Sequence, residues 1–242
     1  TPPIKVNSVK NYGGKVILYG DNFDEAYKHA NILAKKEGYS FIHPYDDKHV
    51  IAGQGTVGKE LIDEMNTDID AIFVPVGGGG LLAGLGTYVK TFSPKTKIIG
   101  VEPDDAACLK LAVDNNKRLS LSEVGLFADG VAVKQIGKET FSLIREWIDG
   151  VVTVSVDEMC ASVQDTFQET RTIPEPAGAL ALAGLKKYCL SRGLKNKKLV
   201  AINSGANLNF DRLGHIVERV QLGESKEACL LYTSDAADDC RC

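Results

Sequence analysis

Four consecutive glycines, Gly77 to Gly80, separate an apolar, β-branched stretch, AIFVPV (71–76), from an apolar stretch beginning LLAG. Glycine accepts positive φ and lets a ligand approach the backbone closely. A tight strand-to-helix turn needs only one glycine. Four in a row leave successive N–H groups without side-chain cover at a helix N-terminus. Such a cradle binds anions, and the helix dipole reinforces it. Phosphate is the ligand this pattern suits. A plain tight turn and a dinucleotide site are the alternatives. The dinucleotide fingerprint is poorly met: Glu102 lies near the offset of its acidic residue, but the glycine run has the wrong shape.

Three further segments carry residues of chemical interest. NSGAN (203–207) follows the apolar LVAI. There Ser204 places a small hydroxyl at a strand end, where it meets a ligand heteroatom or simply forms a turn. IPEPAGALALAG (173–184) is an alanine-rich helix started by Pro176. Most of it suits close packing, and Glu175 at its entrance is the residue able to face a ligand. GLFADGVAV (125–133), with Gly130 inside it, walls a pocket or packs into the core.

Elements must position these residues, and their rhythm is strand then helix. Strands are expected at 15–20, 39–42, 71–76, 97–103, 151–156 and 198–205. Helices are expected from Asn22, with Glu25 completing a capping box, to about Lys36 before Gly38, and from Thr56 to Met65 after the GQG string. Pro44 and the charged DDKH read as connection between them. Further helices follow the glycine run and cover 107–114, 138–148, Met159 to Gln168 behind a Ser155/Glu158 capping box, the Pro176 helix to about Gly193, and 208–220. Residues 119–136 read as loop with a short strand. Alternation of this kind implies an α/β fold, with a mostly parallel sheet covered by helices on both faces. Ligands in such sheets bind at the carboxyl ends of the strands, where the glycine run and NSGAN both fall.

Composition narrows the function classes. The 242 residues are 44% hydrophobic and 25% charged, so a sizeable core can be buried. A net charge of -4 and a pI of about 5.6 argue against nucleic-acid or anionic-membrane partners. No apolar run approaches the length of a membrane span. Six scattered cysteines without a CxxC pair read as reduced thiols, and four histidines show no metal-ligand spacing. The last stretch, 229–242, follows no period and reads as a non-native tail.

Taken in order, AGQGT (52–56), VPVGGGGLLAG (74–84), VGLFADGVAVK (124–134), EPAGALALAG (175–184) and SGAN (204–207) resemble the fold-type-II pyridoxal-phosphate enzymes, and within them the biosynthetic threonine dehydratases. The resemblance runs from Thr1 to about Ala228. It implies a two-lobed, tryptophan synthase β-like fold. Residues 1–46 would be the remainder of a small domain and 47–228 a large cofactor domain. It also implies that Gly77, Gly78, Gly79, Gly80 and the Leu81 amide hold the phosphate of pyridoxal 5'-phosphate, and that Ser204 meets the pyridine nitrogen. A hydroxyl partner leaves that nitrogen largely neutral, which suffices for elimination of a β-hydroxyl. The implied activity is dehydration and deamination of L-threonine to 2-oxobutanoate and ammonia, on the way to isoleucine. The implied protein is a cytoplasmic or organellar homotetramer whose partner is a small amino-acid substrate.

Two departures qualify the resemblance. The family's Schiff-base lysine lies in a Ser- and Phe-rich segment upstream of a Ser-Gly-Asn-His loop, and no lysine here matches that motif. The sequence therefore reads as a truncated core, inactive alone and without the regulatory domain of the biosynthetic members. Related racemases bind a divalent cation through a Glu ending a strand and an Asp six residues later. Here Glu102 is followed at that position by Cys108, a poor ligand for oxygen-seeking cations, so no metal site is expected.

Overall fold

The structure, a computed structural model, describes residues 3–20, 23–65 and 68–223. Two helices open it, α1 (Pro3–Asn11) and α2 (Phe23–Glu37). The Asn22 cap expected for α2 lies outside the described residues, and the helix stops before Gly38, which has φ +74. Neither 15–20 nor 39–42 forms a strand. Their β-branched and aromatic content fits a pleated surface, but no described segment lies alongside to complete a ladder. Ile17, Leu18, Tyr19 and Ile42 are consequently exposed.

Helix α3 spans Lys48–Glu64 and begins eight residues before Thr56, where the sequence suggested. Asp47 sets its start by accepting the His49 and Val50 N–H groups at 2.8 and 3.1 Å. The DDKH stretch is thus a helix cap, and GQG lies inside the helix. Gly55 of that string and Gly58 serve packing, against the backbone of Gly84 and Leu85 in the next helix, whereas Gly53 faces open space.

The chain then alternates between β1 (Ala71–Pro75), α4 (Gly80–Phe92), β2 (Lys97–Pro103), α5 (Cys108–Asp114), α6 (Lys138–Ile144), β3 (Gly150–Val154), α7 (Val156–Thr170), α8 (Pro176–Arg192), β4 (Leu199–Ala201) and α9 (Arg212–Gly223). The short strand expected within 119–136 is replaced by a single 3-10 turn, Asp129–Val131. The four strands pair in parallel in the order β3-β2-β1-β4.

Side-chain alternation along β1 shows why both faces are covered. Ile72 and Val74 point into a core with Leu82, Leu85, Leu109 and Ile144 from α4, α5 and α6. Ala71 and Phe73 point into a second core with Met159, Leu180 and Tyr188 from α7 and α8. A strand buried on both sides has no polar positions, hence the continuous apolar run in sequence. Small residues let α8 lie directly on the sheet, where a Cβ at Gly184 would overlap the Val101 side chain. β4 is shorter than expected. As an edge strand it has only β1 to pair with, although the Ile202 N–H still reaches the Phe73 carbonyl at 3.0 Å.

Candidate active site

The glycine loop leaves β1 and enters α4 at Gly80. Gly79 is the helix N-cap and has φ +91, a conformation side chains disfavour. The other glycines are required by close approach. A Cβ at Gly78 would overlap the ring of Tyr45, and one at Gly77 would lie 2.9 Å from the Val131 Cα. The loop is therefore clamped between the 43–46 segment and the 3-10 turn.

The loop carbonyls are tied down. The Gly78 carbonyl accepts from the Gly137 N–H at 3.1 Å and the Thr140 hydroxyl at 2.8 Å. The Gly77 carbonyl accepts from the Cys108 thiol at 3.5 Å, and the Gly79 carbonyl takes the Ala83 N–H at 2.8 Å. The amides behave oppositely. The N–H groups of Gly77 through Leu82 meet no acceptor among the described residues. Gly78, Gly79 and Gly80 are nonetheless buried. Buried backbone N–H groups are almost always paired, and each one left unpaired costs about 1–3 kcal/mol. Six in succession at a helix N-terminus fit an anion bearing several acceptor oxygens, as a phosphate does.

The remaining predicted residues gather at the end of β4 and the start of α8. The Gly205 carbonyl accepts the Glu175 N–H at 3.1 Å and passes where a Cβ on Gly178 would stand. Ser204 is exposed and only loosely held, its hydroxyl 3.4 Å from the Ala177 carbonyl. Glu175 is half-buried. Burial first, and the nearby Asp129 carboxylate second, raise its pKa above the ordinary carboxylate range. A Cβ on Gly130 would lie 3.6 Å from Glu175 Oε1. Gly130 precedes Val131, which packs on Gly77. The predicted residues therefore form one contiguous region at the carboxyl ends of the two neighbouring strands β1 and β4. Asp129 itself pairs with Lys5 and Arg212, each at 3.7 Å.

Glu102, at the end of β2, is fully buried. Its two oxygens accept the Leu109 and Lys110 N–H groups at 2.7 and 2.8 Å, capping α5 from a distance. Desolvation outweighs these bonds and pushes its pKa up to about 7. Burial, then the neighbouring Glu102, raises the Cys108 thiol, which stays protonated and donates to the loop.

Sequence reasoning missed Tyr45, Asp46 and Thr140. The Asp46 carboxylate accepts the Lys138, Glu139 and Thr140 N–H groups at 2.8, 2.8 and 3.2 Å. It thereby caps α6, whose own N-cap, Gly137, has no side chain to do so. Two further concavities, of about 580 and 520 Å³, lie away from the loop. One is at the amino ends of β1 and β2, and the other runs between β4, α7 and α8.

The family model described as pyridoxal-phosphate dependent enzyme matches residues 1–205. The chain belongs to that family. It is 48% identical over 236 residues to the biosynthetic L-threonine dehydratase of Burkholderia multivorans, covering 96% of this chain and 46% of the relative. It is 54% identical over 230 residues to the chloroplastic biosynthetic threonine dehydratase of Arabidopsis thaliana, covering 95% and 39% respectively. The processed form of threonine deaminase isoform 2 from Solanum lycopersicum superposes with a TM-score of 0.87 at 48% identity, over 90% of this chain and 64% of that one. The chain spans somewhat under half the length of these two curated relatives. The parallel sheet covered on both faces is the fold-type-II architecture of the family. Among the described residues no helix is long and apolar enough to cross a membrane.

Proposed function

We propose that this chain is the cofactor-binding core of a threonine dehydratase that converts L-threonine to 2-oxobutanoate and ammonia. The observation that carries the reading is the row of unpartnered amides from Gly77 to Leu82 at the carboxyl end of a parallel strand. In this reading Gly77, Gly78, Gly79, Gly80 and the Leu81 amide hold the phosphate of pyridoxal phosphate. The loosely held Ser204 hydroxyl meets the pyridine nitrogen. Glu175 and Gly130 line the neighbouring wall, where a carboxyl with a raised pKa is suited to hold a proton near the ring. When bound, the cofactor supplies the electron sink that elimination of a β-hydroxyl requires.

The cofactor-anchoring lysine is assigned to no residue of this chain, so turnover belongs to the whole protein, for which a homotetramer is proposed. Residues 1–46 are assigned to a small domain and 47–228 to the cofactor domain, with Tyr45 and Asp46 at the seam. The test is to express the full reading frame with pyridoxal phosphate and follow keto-acid release. Faster 2-oxobutanoate release from L-threonine than pyruvate release from L-serine supports the reading. The reverse preference indicates a serine dehydratase, and cofactor binding without turnover indicates a binding module.

A further inference from the structure

Thr140 is fully buried and carries a hydroxyl. That hydroxyl reaches across from α6 to the Gly78 carbonyl, 62 residues away in sequence. The same carbonyl already accepts the Gly137 N–H at 3.1 Å. Both lone pairs of that oxygen are then filled. A trans peptide is planar, with its carbonyl and the following N–H pointing in opposite directions. Fixing the Gly78 carbonyl toward α6 therefore aims the Gly79 N–H the other way, into the row of unpartnered amides. α6 is short, seven residues, and is held at its start by the Asp46 carboxylate, which accepts three of its N–H groups, Thr140's among them.

We infer that Thr140 is a positioning residue for the phosphate cradle, held in place by Asp46. It never touches the phosphate, but it pre-orients the amide that does. Without its hydroxyl, the Gly78–Gly79 peptide keeps only the Gly137 bond and can rock, so binding the phosphate must also order the loop. The inference rests on the proposal that the glycine loop holds the cofactor's phosphate.

The test compares dissociation constants of pyridoxal phosphate and pyridoxal, which differ only in the phosphate, on the 242-residue chain and its variants. The ratio of the two constants is the readout. A partly unfolded variant weakens both ligands by the same factor and leaves the ratio unchanged. Thr140→Ala is expected to lower the preference for pyridoxal phosphate by about fivefold, the size of one lost hydrogen bond. Thr140→Ser keeps the oxygen and should retain the preference of the unmodified chain. An unchanged ratio in Thr140→Ala overturns the positioning role while leaving the phosphate reading standing. If the unmodified chain itself fails to prefer pyridoxal phosphate, the phosphate reading falls, and this inference falls with it.

Discussion

Raising the pH should destabilise this chain through Glu102. The side chain is 0% exposed, and burial raises its pKa from an ordinary 4.5 to about 7. The folded state therefore holds a proton that the unfolded chain releases above about pH 4.5. The stabilisation is fully present below that pH and is lost as the pH rises through about 7. At ~1.4 kcal/mol for each pH unit of separation, the whole effect is about 3 kcal/mol, of which about 1.4 kcal/mol falls between pH 6 and 8. Urea unfolding at pH 6, 7 and 8 measures it. Glu102→Gln removes the titrating group, and the difference between the two chains cancels every other ionisation. The unmodified chain should lose about 1.4 kcal/mol more than Glu102→Gln across this range. Parallel pH profiles would refute the argument. They would mean that the Leu109 and Lys110 N–H bonds outweigh desolvation and that Glu102 is already ionised at pH 6.

Other perturbations should separate the loop from the frame. Gly79→Ala forces a side chain to φ +91 and against the Ile136 methyl. It should lower stability in urea by at least ~1–2 kcal/mol and abolish the preference for pyridoxal phosphate over pyridoxal. Ser155→Ala removes one half of the α7 capping box. It should cost about 1 kcal/mol in a denaturation curve while leaving cofactor binding unchanged. Cys108 and Cys160 are buried, and burial raises both thiols. Peptide mapping after iodoacetamide treatment at pH 8 should find both unmodified until urea unfolds the chain, with the half-buried Cys189 labelled before either of them.

The features legible in the sequence were those with local causes. β2 runs from Lys97 to Pro103 as its apolar run indicated, and the Ser155–Glu158 capping box and the Pro176 helix start are present. The glycine run could be read because its position between strand and helix already implies bare amides. What could not be read depends on distant partners. The Asp46 cap on α6 joins residues 92 to 94 apart and leaves no period in the sequence. Residues 15–20 have strand-like composition, but a strand exists only where another lies beside it. The AGQGT string marks the resemblance, yet both its glycines sit within α3, where Gly55 packs against α4 and Gly53 faces open space. Tyr45 over Gly78 gave no signal either, because an aromatic after His-Pro has many uses.

The amides of Gly77 to Leu81 are proposed to receive a phosphate. The most direct measurement is a titration of the isotopically labelled chain with pyridoxal phosphate, following backbone amide resonances by NMR. The largest shifts are expected on Gly77 to Leu81, with smaller ones at Ser204 and Gly130, and pyridoxal should fail to move the loop. Shifts concentrated on residues lining the concavity at the amino ends of the strands, such as Lys95 and Lys97, with a silent glycine loop, would contradict it.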